Sequence, residues 1–576
     1  MAGAGPRIVR RASGRGDALP DDLHPVLRRV YAARGLRGPE ELSLSLDRLL
    51  APEAVYGMEA GAELLAGAVQ SGARILLVGD FDADGATSCA VGVLGLRALG
   101  AETVHYLVPN RFEYGYGLSP ELVTVAADWR PDLLVTVDNG TASRAGVLEA
   151  QRRGIRVLVT DHHLPAPELP PADAIVNPNL VEGSAARNLA GVGVIFYVLL
   201  AVRARLRAAG WFRRRGIEPP KLAALLDLVA LGTVADLVPL DYNNRILVAQ
   251  GLARIRAGRC RPGLAALLDI AGRRRRAAVA ADLAFAAAPR LNAAGRLEDM
   301  ALGIECLLAA DTDAAQAMAA RLDAFNRERR AIEHEMHAQA LETLESLPRE
   351  GPEEEGLPAG LCLFDPRWHQ GVIGILAARI RERFHRPVIA LAPAGDLLKG
   401  SARSVPGLHI RDTLEAVAAR NPGIIERFGG HAMAAGLTLA PDRLAALQAA
   451  FAAEVDRRLA PEDRGGTLLT DGALAAAELD LGTAQALREA GPWGQGFPEP
   501  RFDGEFEVLD QRVVGEAHLK LTVRPLDGAR CVDAIAFRTP APERALCRVR
   551  LAYRLDVNEY RGSRSAQLLV ERIEAL

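Results

Sequence analysis

Five short apolar runs constrain the fold of this chain more than any other feature. Ile75–Val78, Val104–Val108, Leu133–Val137, Val157–Thr160 and Ala174–Val176 are separated by helix-like stretches such as Thr87–Leu99 and Ala142–Arg153. Continuous apolar runs of this length read as buried strands. Buried strands alternating with helices build βαβ units, so residues 74–177 predict a parallel sheet.

The rest of the chain divides around that sheet. Residues 1–55 read as an irregular arm with a short helix or two, and 56–310 as the sheet domain with a helical extension. Asp311–Leu347 holds neither Gly nor Pro and predicts one long connecting helix, roughly 50 Å in length. Arg349–Gly360 reads as a linker. Residues 348–460 predict a second α/β body, with strands at Leu361–Phe364 and Val388–Leu391 flanking a helix. After the segment PEDRGG, residues 467–576 show strands near Gly504–Leu509, His518–Val523, Val532–Phe537, Arg548–Leu555 and Ala566–Val570, the pattern of a small β barrel. The expected class is thus α/β and multidomain, closed by a barrel, and no repeat of fixed period is visible.

Composition excludes more than it identifies. Lys+Arg is 69 against Asp+Glu 72, for a net charge of -3, so a polycation, an acidic tail and a fibrous repeat are all ruled out. Any nucleic-acid partner must therefore be recognised by local patches rather than by overall charge. Only Lys221, Lys399 and Lys520 are lysines, an imbalance that reads as codon bias alongside so much Ala and Gly. The Arg runs at 213–215 and 273–276 read as solvated faces. The six cysteines lie far apart with no CxxC pair, which argues against a zinc site or disulfide framework and suits a reducing cytoplasm. The N-terminal segment shows no apolar signal core, and the longest apolar stretch, Leu189–Val202, falls short of the ~20 residues a bilayer requires. A soluble cytoplasmic protein without membrane contact is expected.

The chemistry gathers at strand ends. The first strand leads into Gly79-Asp80-Phe81-Asp82-Ala83-Asp84-Gly85, the third into Asp138-Asn139-Gly140, and the fourth into Asp161-His162-His163. In an open parallel sheet that C-terminal edge is where ligands bind. One Asp after a strand can be only a turn residue. Three such ends together concentrate negative charge that hard divalent cations would neutralise, and carboxylate with imidazole but no thiolate suits Mn²⁺ or Mg²⁺ rather than structural Zn²⁺.

The motifs DFDADG, VDNG, DHH and GTVADLVPL, in that order and spacing, resemble those of the DHH phosphoesterase superfamily. Further segments resemble its RecJ exonuclease family: NRFEYGYGL (110–118), APRLNAAGR (288–296), WHQGVIGILAARI (368–380), GSARS (400–404), FGGHAMAAG (428–436), GPWGQGFPEPRF (491–502) and YRLDVNEYRG (553–562). The segment GPWGQGFPEPRF departs at Phe497, where that family's pattern leads us to expect Asn. The resemblance implies a parallel-sheet DHH domain, a DHH-associated domain and a C-terminal OB-fold barrel.

It also implies roles. Asp82 and Asp84 would each hold one of two divalent metals, Asp138 would bridge them, and His162 and Asp236 would complete the set. Asp80 would be either a ligand or an acceptor that orients one. His163 would contact the scissile phosphate and Asp161 would brace the motif. Arg111, Tyr114, Arg290, Asn292 and Arg296 are candidate strand contacts, although aromatics such as Tyr114 and Tyr116 equally suit core packing. His369, Ser401, Arg403, Gly429, Gly430 and His431 are candidate phosphate contacts in the second body, with Ser401 and Arg403 suited to a terminal 5′ phosphate. The activity implied is 5′→3′ hydrolysis of single-stranded DNA to mononucleotides in recombination and repair. A single-strand-binding protein and a helicase are the implied partners, and a monomer is expected. A phosphodiesterase for short oligonucleotides or cyclic dinucleotides would not need residues 467–576, and a scaffold that had lost its metals would not retain the intact ligand set.

Overall fold

The computed structural model describes residues 6–12, 14, 18–110, 114, 116–345, 357–460, 465–515, 518–540, 542, 544–560 and 562–576. Its contacts divide the chain into two compact units. One comprises Ala12–Asn326, Ala473–Glu571 and Ala575–Leu576; the other comprises Arg327–Gly472 with the end segments Met1–Arg11 and Arg572–Glu574.

In the first unit, strands β2 (Ile75–Val78), β3 (Val104–Leu107), β4 (Leu133–Val137), β5 (Arg156–Thr160) and β6 (Ala174–Val176) form a sheet in the order β3-β2-β4-β5-β6. Every pairing is parallel, as the apolar runs predict. Register decides where the strand ends emerge. Val78 pairs with Thr136 and Val137 with Thr160, so the segments after β2, β4 and β5 leave the sheet side by side. Both faces are covered. Helix Ala83–Ala98 is buried along most of its length, and Gly95 permits contact with the helix Gly191–Ala208, since a Cβ there would lie 2.4 Å from Leu199 Cδ1.

The same unit holds the barrel. Strands β13 (Phe502–Val514), β14 (His518–Pro525), β15 (Val532–Ala536), β16 (Arg548–Tyr560) and β17 (Ser563–Ala575) close in the order β13-β14-β15-β17-β16. Strict alternation on β14 sends Leu519, Leu521, Val523 and Pro525 inward. The loop ahead of the barrel is tied to the catalytic body by Leu240 N, which donates to the Gln495 carbonyl at 2.7 Å. Phe497, the departure from the family pattern, is the centre of this junction. Its ring stacks on Trp493 (5.1 Å between centroids) and Tyr31 (6.2 Å), and the Arg245 guanidinium lies 4.4 Å from its centroid. Phe497 is thus the centre of a buried aromatic–cation cluster.

The second unit is built on strands β7 (Leu361–Phe364), β8 (Val388–Ala394), β9 (Leu397–Arg403), β10 (Arg427–Gly430) and β11 (Ala434–Leu439), in the order β10-β11-β9-β8-β7. Only β7 and β8 pair in parallel, flanking helix Ile373–Phe384 as expected; the remaining pairings are antiparallel. The structure adds strands that the apolar pattern does not show. The motifs GSARS and FGGHAMAAG lie on β9 and on the β10–β11 hairpin, three strands that composition conceals because Gly, Ser and Ala dominate them. The N-terminal arm is not wholly irregular: β1 (Arg7–Arg10) pairs in parallel with β12 (Thr467–Thr470). The long helix runs over Thr312–Glu345, and the division between the units falls within it. Most of the 349–360 linker and residues 461–464 lie outside the described residues.

Phe497→Ala should remove the centre of the aromatic cluster and leave a cavity. We expect a loss of about 3–5 kcal/mol in unfolding free energy by chemical denaturation. A loss under about 1 kcal/mol would show that the junction contributes little.

Candidate metal centre

The side-by-side exits of β2, β4 and β5 deliver the acidic groups to one place. After β2, Asp80 is buried and its Oδ1 accepts from Phe81 N at 2.7 Å. Asp82 caps helix Ala83–Ala98, with Oδ1 accepting from Gly85 N at 2.9 Å. Asp84, in the first turn, accepts from Gly191 N (2.7 Å) and Val192 N (3.0 Å), the first amides of helix Gly191–Ala208. Helix N-termini carry partial positive charge, so two of them face this acidic cluster.

Asp138 follows β4 in a left-handed conformation (φ +64°), which Asp adopts more readily than most side-chain-bearing residues. Gly191 opposes it, because a Cβ there would lie 2.5 Å from Asp138 Oδ1. The neighbouring Asn139 locks the two strand ends together by donating to the carbonyls of Val78 (3.1 Å) and Val137 (2.9 Å). Asp236 terminates helix Leu226–Ala235 and reaches the same space, together with His162 from β5.

His162 Nε2 lies 3.1 Å from Asp138 Oδ1, 3.5 Å from Asp236 Oδ2 and 4.0 Å from Asp84 Oδ2. Two of the donor sets whose atoms fall within 4.8 Å of one another are Asp84–His162–Asp236 and Asp80–Asp82–Asp138, and Asp138 joins a third with His162 and His163. The chemistry of these sets fits hard cations: oxygen and imidazole nitrogen without thiolate. The buried Asp138 Oδ1 has no hydrogen-bond partner among the described residues.

Proximity carries an electrostatic cost for the carboxylates. Burial, then the charge of Asp82, pushes Asp84 up to about 7. Burial and neighbouring carboxylates raise Asp138 and Asp236 well above the usual range. Asp161 behaves in the opposite way. Burial would raise it, but His163 and the backbone donors outweigh that and hold it far below the ordinary value. Its Oδ1 accepts from His162 N (2.8 Å) and His163 N (3.1 Å), and its Oδ2 from Thr141 N (2.9 Å). Oδ1 also lies 2.8 Å from His163 Nδ1. Burial would lower His163, yet the bond and charge of Asp161 raise it to about 9, so the ring is an imidazolium near neutral pH. The Tyr116 hydroxyl, 3.2 Å from His163 Nε2, is kept protonated by burial and by Asp161, Asp80, Asp138 and Asp82.

The other sequence candidates separate into groups. Arg111 lies outside the described residues. Tyr114 packs half-buried against the cluster containing Leu118 and Leu122, which favours the core-packing alternative. Arg290 is engaged by Asp323 (2.8 Å). Asn292 Oδ1 accepts from Ala83 N at 2.8 Å, between two of the acidic residues, and Arg296 lies one turn further along the same helix. In the second unit, Arg403 donates to Ser401 Oγ (3.1 Å), and both approach Gly374 in the first turn of helix Ile373–Phe384. Burial lowers the Arg403 pKa, so an anion there would meet a poorly solvated cation. Across the sheet Ser401 pairs with Gly436, and Gly436 with Gly429, whose Cβ direction is open. Gly430 (φ +144°) permits the hairpin, and His431 N closes it on the Ala434 carbonyl at 2.8 Å. His369 Nδ1 accepts from Gly371 N at 3.1 Å.

Sequence reasoning missed Gly191, Val192 and Gly232. A Cβ at Gly232 would lie 2.9 Å from Asp84 Oδ1. The available signal was glycine interrupting otherwise apolar helices.

Family models match each part of this architecture. Residues 74–233 match the DHH family N-terminal domain, 358–456 the DHHA1 domain and 470–572 the RecJ OB domain. The chain is therefore a DHH-family protein with an associated DHHA1 domain and an OB barrel. It is 55% identical over 570 residues to the single-stranded-DNA-specific exonuclease RecJ of Dickeya dadantii (strain 3937), covering 98% of each chain. The solved RecJ of Thermus thermophilus in complex with Mn²⁺ is similar with a TM-score of 0.79 at 32% identity, over 96% of this chain and 76% of that one. Its complex with Mg²⁺ gives 0.73 at 30%, over 96% and 75%. The chain belongs to the RecJ family.

The raised carboxylates set a pH dependence. Folded Asp84, Asp138 and Asp236 hold protons that the unfolded chain releases above pH ~4, so metal-free stability falls as pH rises toward about 7. His163 adds stability below its unfolded value that is lost as pH rises through about 9. EDTA-treated protein should thus have a lower Tm at pH 8 than at pH 5, and Mn²⁺ should raise Tm more at pH 8. A Tm that rises from pH 5 to 8 without metal would contradict this.

Proposed function

We propose that Asp82, Asp84, Asp138, His162 and Asp236 hold two divalent cations, Mn²⁺ or Mg²⁺, with Asp138 shared between them and Asp80 beside them. The observation that carries this reading is Asp138 itself: a buried carboxylate belonging to more than one donor set. When bound, such a pair lowers the pKa of a water nucleophile and neutralises charge on the phosphoryl oxygens. The chain is a single-stranded-DNA-specific exonuclease. It removes 5′-mononucleotides in the 5′→3′ direction by phosphodiester hydrolysis, in recombination and repair.

The chain's own residues prepare the substrate for that hydrolysis. His163, held protonated by Asp161, donates from Nε2 to a non-bridging oxygen of the scissile phosphate, where negative charge develops. Tyr116, whose hydroxyl lies 3.1 Å from His163 Nδ1 and 3.2 Å from Nε2, helps hold the orientation of the ring. Asn292 and Arg296 stand beside the acidic loop as strand contacts, and Arg290 and Arg111, the latter outside the described residues, are the further cations assigned to the strand. In the DHHA1 domain Ser401 and Arg403 hold the terminal 5′ phosphate, with His369, Gly429, Gly430 and His431 contacting the backbone. Anchoring the 5′ end sets both polarity and product size. A helicase supplies unwound 5′ ends, and single-strand-binding protein shares the substrate. The protein acts in the cytoplasm as a monomer.

Single strands labelled at either end, a duplex and a dinucleotide, each incubated with Mn²⁺, test the reading. Mononucleotide should appear from the 5′ end of the single strand, and Asp138→Ala should abolish it. Activity confined to the dinucleotide, or none with metal bound, would overturn it.

A further inference from the structure

One apolar side chain stands apart from the rest. Phe285 is 74% exposed, more than any other large hydrophobic side chain among the described residues. It sits in a π-helical turn, Leu283–Ala287, that runs directly into the helix Ala288–Leu297. Leu283, Ala286, Ala287 and Ala288 are buried, so the turn packs normally while presenting Phe285 outward. Single π turns within helices recur at functional sites, because they re-aim one side chain without unfolding the element.

This helix is attached to the metal centre. Asn292 Oδ1 accepts from Ala83 N, and Gly295 lies so close to the acidic loop that a Cβ would meet the Phe81 carbonyl at 1.9 Å. Pro289, Asn292 and Arg296 recur at three- and four-residue intervals, which places them on one face of this helix, and Phe285 is exposed one turn before Pro289. None of the four is buried. This segment therefore carries an exposed aromatic ring at one end and a residue bound to the acidic loop at the other. The seven residues from Phe285 to Asn292 correspond to roughly 10 Å along the axis.

We propose that Phe285 is a stacking platform for a base of the single strand, on the 3′ side of the bond that is cleaved. The inference rests on the exonuclease reading above. An enzyme that releases mononucleotides has one nucleotide on the 5′ side of the scissile phosphate, so a ring this far away meets the retained strand. At roughly 3.4 Å per stacked nucleotide, the base is about the third beyond the metals. An exposed aromatic face accepts any base, as a nuclease without sequence preference requires. Continuity with the acidic loop favours this occupant over a second copy of the chain.

The test compares Phe285→Ala and Phe285→Trp with wild type in Mn²⁺, on a ten-nucleotide strand and a 5′-phosphorylated dinucleotide. The dinucleotide is too short to reach the ring. For Phe285→Ala, the ratio of kcat/KM on the ten-mer to that on the dinucleotide should fall roughly 5- to 150-fold, mainly through KM, and Phe285→Trp should restore it. With 2-aminopurine at the third or fourth nucleotide, binding should quench fluorescence in wild type and less so in Phe285→Ala. An unchanged ratio overturns the proposal, as does loss of self-association in Phe285→Ala with the ratio intact. Failure of wild type to degrade the ten-mer would instead refute the exonuclease reading, so the two failures are distinct.

Discussion

Mutual repulsion among buried carboxylates is the constraint on which this structure depends. Asp82, Asp84, Asp138 and Asp236, with Asp80 beside them, occupy one small volume at the edge of a parallel sheet. No hydrophobic burial favours such an arrangement, and desolvation alone opposes it. The fold tolerates the cluster through fixed dipoles and close backbone packing. Amides at the start of helix Gly191–Ala208 bind Asp84, and Asp82 binds the first turn of its own helix. Glycines at 191 and 232 give the carboxylates room that any side chain would fill. These devices reduce the repulsion without removing it, and divalent cations are the chemically matched remainder.

Around that core the charge is arranged in opposite senses. Asp161 is surrounded by donors and held ionised, so that it fixes His163 as a cation, whereas Asp84, Asp138 and Asp236 are pushed toward protonation. Two adjacent histidines on one strand end thereby take different tasks. His162 faces the carboxylates; His163 faces Asp161 and Tyr116. The near-zero net charge of the chain is consistent with a DNA enzyme on these terms, because recognition is confined to particular side chains.

Much of this is legible in the amino-acid sequence. The apolar runs 75–78, 104–108, 133–137, 157–160 and 174–176 are continuous and bounded, so strand positions, and hence the shared edge, followed from burial alone. The acidic motifs were legible because no packing role explains three of them after neighbouring strands. Other features left no local trace. Asn292 binds Ala83 across 209 positions of sequence, and Asp84 meets Gly191 across 107, contacts that only tertiary structure creates. Strand β1, RIVR, is too short and too polar to show a period, and it forms only because Thr467–Thr470 offers an edge. Strands β9 to β11 are rich in Gly, Ala and Ser, residues that carry little strand preference of their own.

The central claim is that one carboxylate, Asp138, unites two cations. Electron paramagnetic resonance of Mn²⁺-loaded protein tests this directly, because two Mn²⁺ ions about 3.5–4 Å apart, sharing a carboxylate, couple magnetically. The expected result is a coupled-pair spectrum at two equivalents of Mn²⁺ in the wild type, replaced in Asp138→Asn by the six-line signal of isolated ions. An uncoupled spectrum in the wild type at saturation, or coupling that survives the substitution, would contradict it.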